Sequence, residues 1–324
     1  MLRFLAALPL VVIAAAPVQA EQQKQLVVIS FDGAHDNALW TRSRDMAKRT
    51  GAHFTYFLSC TFLMTKADGK AYKAPHHGAG RSNVGFAPDT ADVAARLDNI
   101  WQAHLEGHDI GSHACGHFDG GSWTTSEWEQ ELESFKSALT DAWKNNGLSD
   151  REPEGWADLA KTGIAGFRAP YLSAGDGLLP ALKASGYLYD ASSVSKGPIL
   201  PALKDGMMRF SLPLIAEGPS NRPVIGMDYN LFVRHSMGVE NKKDSAAFEE
   251  RTYQAFKAAF EAQHEGDRVP LELGFHFVEM NGGAYWRALD RLLTEVCHQP
   301  DVACVSHAEA MTILKKKKAE NSAF

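Results

Sequence analysis

The feature that most constrains this chain is a regular alternation of short apolar runs with longer amphipathic segments. Residues 26–31 (LVVISF) form a continuous apolar and β-branched run, which is typical of a strand buried on both faces. Residues 36–49 then repeat apolar side chains at the spacing of an amphipathic helix. The same pattern predicts further strands at residues 53–58, 108–112, 163–168, 187–190, 224–232, 271–277 and 302–305. It predicts further helices at residues 88–107, 125–145, 177–185, 245–263 and 285–297.

This alternation indicates a fold class. Strands that are each followed by a helix run parallel to one another, because the helix returns the chain to the same end of the sheet. No internal repeat or low-complexity linker divides the chain. About seven such units favour a barrel over an open sheet. We therefore expect an α/β fold, a single domain built as a distorted (β/α) barrel of about seven parallel strands.

Residues 1–20 fall outside this alternation. A positive charge at Arg3, an uncharged apolar run over residues 4–16 and small residues before a cut after Ala20 are typical of a secretory signal peptide. A membrane anchor is the alternative, but the run is shorter than the roughly 20 residues that span a bilayer. We expect an exported protein, periplasmic or secreted, with its domain in residues 21–324 and without stable membrane insertion.

The overall charge narrows the choice of partners. The chain has 33 Lys and Arg against 39 Asp and Glu, which gives a formal net charge of -6. A mildly acidic surface argues against nucleic-acid binding, which needs a basic footprint. We therefore expect no nucleic-acid partner. Hydrophobic residues make up 45% of the chain and charged residues 22%, a composition that excludes a disordered protein.

All four cysteines lie in the exported part of the chain, where disulfides can form. Four cysteines allow three connectivities, and the sequence alone does not choose among them. Cys297 and Cys304 are close in sequence, so closing the loop between them costs little entropy. We favour that pair, with Cys60 and Cys115 as its complement.

Polar side chains follow several predicted strands at the point where each strand ends. In barrels of parallel strands, the chemistry lies at the C-terminal ends of the strands. His113 and His117 are four residues apart, which lets two imidazoles converge on one ion. A catalytic zinc site has three protein ligands and an open position, so a carboxylate is the natural third ligand. The strand-end residues together are Asp32, His113, His117, Arg168, Asp190 and His276.

The order of these motifs resembles that of the NodB-type polysaccharide deacetylases, carbohydrate esterase family 4. The likeness covers about residues 26–310 and looks closest to the chitin-deacetylase-like branch. Each motif alone is unspecific, but their joint occurrence in this order is specific. The family's T-F-D-D, H-x3-H, R-x-P-Y, Asp-bearing and late Leu/His motifs correspond here to Ser30-Phe31-Asp32-Gly33, His113-x3-His117, Arg168-Ala169-Pro170-Tyr171, Tyr189-Asp190 and Leu273-Gly274-Phe275-His276.

The resemblance implies a role for each residue of the acid–base chemistry. Asp32 would be the general base, and Arg168 would pair with it and favour the ionised carboxylate. The backbone N–H of Tyr171 would stabilise the oxyanion. His276 would give a proton to the departing amine, and Asp190 would orient that histidine.

The resemblance also implies a divalent metal, Zn2+ or another transition metal such as Co2+ or Ni2+. It would bind His113 and His117 and activate the attacking water. The sequence departs from the family at Gly33, which stands where the family has its metal-binding Asp and has no side chain to offer. Asp36 is the replacement that we favour. His35 is a second candidate, and two histidines completed by water are a third.

Two further features bear on a sugar-binding cleft. The polar loop at residues 65–88, which contains His76 and His77, is expected either at the rim of the cleft or as a solvated insertion. Aromatic faces suit sugar rings, although Trp in a helix more often belongs to the core. The tryptophans near the motifs are Trp123, Trp128 and Trp286.

Together these observations predict a metal-dependent hydrolase. It would remove acetyl groups from an N-acetylated polysaccharide or oligosaccharide, such as chitin oligomers or peptidoglycan, and the same attack by water would serve O-acetyl esters. The main alternative is a catalytically impaired NodB-fold protein that binds glycan, because Gly33 replaces the usual ligand. A third hypothesis is an unrelated barrel metallohydrolase that acts on small amides.

Overall fold

The fold is known from a computed structural model, which describes residues 23–321. The signal peptide predicted at residues 1–20 lies outside the described residues. Within residues 23–321, no helix combines the length and the apolar character needed to cross a bilayer.

The strands of the described chain form one mixed sheet. Its order is β10-β1-β2-β3-β4-β5-β7-β6, with β9 also paired to β1 and β8 to β7. Strands β6 and β8 run antiparallel to β7, whereas the other pairings are parallel. The strands are β1 (Gln25–Gly33), β2 (Thr55–Leu58), β3 (Asp109–Ser112), β4 (Gly166–Phe167), β5 (Tyr189–Ser195), β6 (Ala202–Lys204), β7 (Met207–Glu217), β8 (Arg222–Ile225), β9 (Leu271–His276) and β10 (Val302–Val305). The sheet curls into a half-barrel, which confirms the predicted single-domain (β/α) barrel with one parallel strand more than expected.

Helices surround the curled sheet. Several begin at a side chain that accepts hydrogen bonds from the first free backbone N–H groups, as Asp89 does for α2 and Thr124 for α3. The helices of the described chain are α1 (Asn37–Thr50), α2 (Thr90–Leu105), α3 (Thr125–Thr140), α4 (Ala142–Asn145), α5 (Trp156–Asp158), α6 (Leu178–Ala184), α7 (Asp228–Ser236), α8 (Ser245–His264), α9 (Ala284–Val296) and α10 (His307–Asn321).

The alternation of side chains along β1 positions the site. Val27, Ile29 and Phe31 pack into the large core between the sheet and the helices. Leu26 and Val28 point the other way, into a smaller cluster formed with strand residues from across the sheet. Because side chains alternate with a period of two, Ser30 and Asp32 continue the second row and face the interior of the half-barrel. A polar pair thus lies at the upper end of an apolar interior.

The strand predicted at residues 224–232 is wrong beyond Ile225. The strand β8 ends at Ile225, and the helix α7 begins at Asp228. An acidic side chain in the first turn of a helix is favoured by the helix dipole, and Leu231 packs inward from the helix with no exposure. The strands β6 and β7 are not predicted from the sequence, because β7 contains Pro213 and no helix precedes it.

Both predicted disulfides are confirmed. Cys60 is bonded to Cys115, and Cys297 is bonded to Cys304. The first bond joins the segment after β2 to the loop after β3, and the second closes the turn between α9 and β10.

Candidate active site

The C-terminal ends of β1, β3, β4 and β9 bring four of the predicted residues together. Asp32 and His276 are direct partners in the register of β1 and β9, so their side chains project from the same face of the sheet. Arg168 follows β4, and His113 follows β3. Burial raises the pKa of Asp32, but the nearby cations, Arg168 above all, outweigh burial and lower that pKa below its usual value. Asp32 is therefore held as a carboxylate.

The arginine that pairs with Asp32 is fully buried. The Nη1 atom of Arg168 donates to Oδ1 of Asp32 at 2.9 Å and to Oγ of Ser30 at 2.6 Å. Its Nε atom donates to the carbonyl oxygen of Ala191 at 3.0 Å, and the guanidinium lies 4.6 Å from the ring centroid of Phe57. These contacts fix one position of the guanidinium, and the carboxylate is fixed with it.

The two histidines of the H-x3-H motif lie side by side, with ring centroids 5.0 Å apart. The Nδ1 atom of His113 donates to the carbonyl oxygen of Arg168 at 2.7 Å, which leaves its Nε2 lone pair directed away from that bond. Burial lowers the pKa of His113, and burial together with His113 lowers the pKa of His117 to about 3. Both rings are therefore neutral at neutral pH, the form in which imidazole binds a metal ion.

The loop that carries the two histidines is anchored from beneath. The disulfide joins Cys115, between the histidines, to Cys60. A buried carboxylate, that of Glu131, accepts from the backbone N–H of Cys115 at 2.9 Å and from the hydroxyl of Tyr72 at 2.8 Å. That hydroxyl accepts in turn from the backbone N–H of Gly116 at 2.9 Å. The position of the histidine pair is therefore set by covalent and hydrogen-bonded contacts outside the site.

The partner of His276 is Asp228, and not Asp190 as the sequence analysis expected. The Nδ1 atom of His276 lies 2.7 Å from Oδ1 of Asp228, and its backbone N–H donates to Oδ2 at 2.8 Å. Burial lowers the pKa of His276, but the Asp228 carboxylate outweighs burial and raises it above the usual value. The indole N–H of Trp286 donates to the carbonyl oxygen of His276 at 3.0 Å. The imidazole is thus oriented and favoured in its protonated form.

Sequence reasoning missed Asp228 because it assigned residues 224–232 to a strand. A fully buried carboxylate is rare in a protein unless it is paired. Asp228 lies inside an apolar run of the sequence, while several other strand ends also carry polar residues. This combination is a signal that could have identified Asp228.

Asp190 supports a different part of the site. Its carboxylate is fully buried, accepts from the hydroxyl of Ser192 at 2.5 Å and lies 2.9 Å from Nε of Arg209. The Ser192 hydroxyl accepts from the backbone N–H of Ala169 at 2.8 Å. Asp190 is therefore a positioning residue for the segment that follows Arg168.

The residues proposed to replace the missing metal ligand have other roles. The carboxylate of Asp36 is exposed and accepts from the backbone N–H groups of Ala38 and Leu39 at 2.8 and 2.9 Å, so it caps helix α1. The ring of His35 stacks on that of Phe62, with centroids 4.8 Å apart. Neither side chain joins the histidine pair in a metal-holding group.

The described residues do not fit the predicted three-ligand metal site. In residues 23–321, no cluster of three or more His, Cys, Asp and Glu side chains could hold a metal ion. Gly33 has φ +86°, and a Cβ atom built on it would meet no atom within 4 Å. The space for a third ligand is therefore open, but the chain does not fill it. The prediction of Zn2+, Co2+ or Ni2+ bound by His113, His117 and Asp36 is not supported by this donor set.

Two tyrosines flank the site. The ring centroid of Tyr171 lies 4.7 Å from that of His117, and the side chain is 59% exposed. Tyr171 has φ +58°, a left-handed conformation that turns the chain sharply after Pro170. The ring centroid of Tyr229 lies 6.0 Å from that of His276, and this side chain is also exposed. Each of the two site histidines His117 and His276 therefore has an exposed aromatic ring beside it.

The tryptophans near the motifs do not line this space. They are at most 4% exposed and belong to the core: Trp123, Trp128 and Trp286.

The fold, though not the sequence, is similar to that of known proteins. No protein-family profile matches the chain. No curated protein sequence matches it either. Among solved structures, a "putative polysaccharide deacetylase" from Mycobacterium smegmatis is 17% identical, with a TM-score of 0.56 over 94% of this chain and 95% of that one. This similarity confirms the expected deacetylase-type fold.

Two other solved structures are more distant. The carbohydrate esterase domain of a multidomain xylanase from the hindgut metagenome of Trinervitermes trinervoides is 12% identical, with a TM-score of 0.49 over 92% of each chain. A peptidoglycan deacetylase from Bacillus subtilis is 13% identical, with a TM-score of 0.47 over 93% of this chain and 96% of that one. Similarities this distant support no conclusion about the substrate of the present protein.

Proposed function

We propose that this protein is a hydrolase that removes acetyl groups from an acetylated glycan. The observation that carries the proposal is the pairing of two oriented groups of opposite function on neighbouring strands. Asp32 is held ionised by Arg168, and His276 is favoured in its protonated form by Asp228. A general base and a general acid that face the same site can together catalyse the hydrolysis of an amide or an ester.

Asp32 is the proposed general base. Its Oδ1 atom is occupied by Arg168, whereas Oδ2 has no hydrogen-bond partner among residues 23–321. Oδ2 would accept a proton from a water molecule as that water attacks the acetyl carbonyl carbon. The backbone N–H of Tyr171 would stabilise the negative charge that develops on the carbonyl oxygen.

His276 is the proposed general acid. Its Nδ1 atom is bonded to Asp228, so Nε2 is the atom that faces the open site. Protonated Nε2 would give its proton to the departing sugar nitrogen or oxygen as the bond to the acetyl carbon breaks. Acetate and the deacetylated sugar would then leave, and the imidazolium would be restored by the proton that Asp32 took from water. No step of this sequence is derived through a metal ion, because the ligand set is incomplete.

A second candidate function is glycan binding without turnover. Gly33 favours it, because this glycine leaves the histidine pair without the carboxylate that would complete a metal site. The exposed rings of Tyr171 and Tyr229 could still bind sugar faces.

We also propose that the protein is exported, to the periplasm or beyond the cell. Two disulfides and no unpaired cysteine occur in the described part of the chain, as is usual in oxidising compartments. Trypsin accessibility of the protein in spheroplasts, compared with cell lysates, together with the fraction of the protein recovered from the medium, would test this location.

Acetate release separates the two candidate functions. Purified protein should release acetate from chitin oligomers or, if it prefers esters, from acetylated xylan. Asp32→Asn and His276→Gln should each lower the rate by about 10²- to 10⁴-fold, the usual contribution of one acid or base. His298→Gln, which changes an exposed histidine on the turn after α9, is the matched control and should keep full activity. Binding of both glycans without any acetate release would replace the first proposal with the second.

A further inference from the structure

A cavity lies beside the candidate active site. It has a volume of about 610 Å³ and is formed by the long loop at residues 65–88 where that loop meets the histidine loop. We call it the basic side cavity. Its chemically distinctive lining residues are Lys66, His77, Arg81, Asn83, Phe86 and Phe118.

The charge of the basic side cavity is opposite to that of the protein as a whole. The chain has a formal net charge of -6, yet the residues that line this cavity include Lys66 and Arg81 and no Asp or Glu. Across residues 23–321, neither of these two cations forms an ion pair. Unpaired cations in a concave surface concentrate a positive potential there, which attracts an anionic group.

The cavity also offers flat rings. His77 stacks on Phe118 with ring centroids 3.7 Å apart, and Phe86 lines the same wall. Aromatic faces pack against the apolar faces of sugar rings, and Arg binds carboxylates through two parallel N–H groups. Rings and unpaired cations in one cavity suit a sugar that carries a carboxylate.

One residue connects the cavity to the candidate active site. The side-chain amide of Asn83 donates to the carbonyl oxygen of His117 at 3.0 Å and approaches the hydroxyl of Tyr171 at 3.4 Å. Its backbone N–H donates to the carbonyl oxygen of Gly116 at 2.8 Å. A glycan bound at the histidine pair would therefore reach the cavity with a neighbouring sugar.

The loop that forms the cavity is itself held in place. A parallel bridge joins Thr65 to Ala87 at its two ends, and the backbone N–H of Gly80 donates to the carbonyl oxygen of Tyr72 at 2.7 Å. A Cβ atom on Gly69 would lie 2.1 Å from the ring of Phe86, so the two segments pack as closely as a glycine allows. The cavity is thus built into the fold and does not depend on ligand binding to form.

We propose that the basic side cavity binds the carboxylate-bearing sugar of an acidic, acetylated glycan. This inference rests on the proposed function for the place where the glycan binds. The preference for a carboxylate does not depend on that function. The carboxylate could belong to a lactyl ether, as in N-acetylmuramic acid, or to a uronic acid. Both present the same anion to Lys66 and Arg81.

Calorimetry with matched sugars tests the proposal. The probes are the disaccharide of N-acetylglucosamine and N-acetylmuramic acid, the methyl ester of that disaccharide, and digalacturonate with its own dimethyl ester. The acid that the cavity accepts should bind at least tenfold more tightly than its own ester, the contribution of about one charge-assisted contact, and added salt should reduce the difference. Digalacturonate and the muramic disaccharide together show which source of carboxylate the cavity accepts.

Two variants locate the effect. Lys66→Gln combined with Arg81→Gln should remove the preference for the acid and leave binding of the ester unchanged. Lys73→Gln removes one charge from the same loop outside the cavity lining, and it should keep the preference. Equal binding of acid and ester by the unmodified protein, including no binding of either, overturns the proposal. So does a preference that survives in the double variant.

The proposed function can fail separately. If chitin oligomers release acetate but the acids show no advantage, the deacetylase proposal stands and the basic side cavity is not an acid subsite. If the acids bind preferentially but no acetylated glycan releases acetate, the cavity proposal stands and the deacetylase proposal fails.

Discussion

The two halves of the candidate site differ in how completely their functional side chains are provided with interaction partners. The acid–base half consists of Asp32, Arg168, Asp228 and His276, and each charged group there has an oppositely charged partner within 2.9 Å. The histidine half, His113 and His117 next to Gly33, has two oriented imidazoles and no third ligand among the described residues.

The histidine half lacks a third ligand because residue 33 has no ligating side chain, and not because the backbone leaves no room for one. A Cβ atom at Gly33 would meet no atom within 4 Å, so packing does not prevent a ligand there. The disulfide and the Glu131 carboxylate hold the histidine loop in place without a metal ion. The backbone at Gly33 therefore leaves room for a third ligand, although the described residues do not supply one.

The largest effect should follow from breaking the acid–base half at its centre. Arg168→Ala should lower the free energy of unfolding by about 5 kcal/mol, the upper end for a broken buried pair, because bonds to Ser30 and Ala191 are lost too. Urea unfolding measures this change. Arg49→Ala breaks the exposed ion pair with Asp290, and as the control it should cost less than about 1 kcal/mol. A loss for Arg168→Ala as small as that of the control would contradict the assignment of Arg168 as the central support.

The next largest effect concerns the histidine half. Replacing Cys60 and Cys115 with Ala opens a loop of 55 residues and should cost about 4 kcal/mol by the loop-entropy relation. Replacing Cys297 and Cys304 opens a loop of only 7 residues and should cost about 2 kcal/mol, which makes it the matched control.

Only the first of these double variants should disturb the histidine pair. Histidine NMR signals of His113 and His117 should broaden or shift when Cys60 and Cys115 are replaced, and that of His276 should not. Equal changes at all three histidines would mean that the two halves are not independent.

The sequence could predict the fold and much of the site for a physical reason. Buried parallel strands must be apolar on both faces, so continuous apolar runs in the sequence identify β1 and β9. The polar residues at the ends of these runs are then recognisable as candidate site residues. Both disulfide pairs could be predicted because one of them closes a very short loop.

The parts that could not be predicted depend on which of two possible interactions or conformations a short segment adopts. Asp36 lies close to Gly33 in sequence, but a carboxylate directly before a helix bonds to the free backbone N–H groups, and Asp36 does so. Asp228 was hidden because a short apolar run is compatible with a strand or a buried helix. Pairing between an acid and a histidine 48 residues apart is a property of the tertiary structure alone.

Completing the histidine half should have a smaller effect on stability and a measurable effect on metal binding. Gly33→Asp places a carboxylate in open space, and it should raise the affinity for Zn2+ at least tenfold, or about 1.4 kcal/mol. Because the position has φ +86°, the variant should also lose about 1 kcal/mol of stability. Titration of Zn2+ by calorimetry measures the first change and urea unfolding the second.

Two controls accompany this variant. Gly33→Ala carries the same backbone cost without a ligand and should leave the affinity for Zn2+ unchanged. Asp36→Asn keeps the helix cap and should also leave it unchanged. A marked loss of affinity in Asp36→Asn would restore Asp36 as a ligand and contradict its placement as a helix cap.

The smallest effect we expect is a shift in one titration. Asp228→Asn removes the carboxylate that raises the pKa of His276, so this pKa should fall, because burial then acts without opposition. The raised pKa stabilises the folded protein below the pKa of the unfolded chain, and this contribution is lost as the pH rises through the folded pKa. The variant should therefore lose more stability at about pH 6 than at about pH 9. NMR titration of His276 measures the shift, and His235, whose pKa is lowered by burial beside Glu217, should keep its own value in the same spectra. An unchanged pKa of His276 would mean that Asp228 only holds the ring in place. The assignment of His276 as a general acid whose protonated form Asp228 favours would then be contradicted.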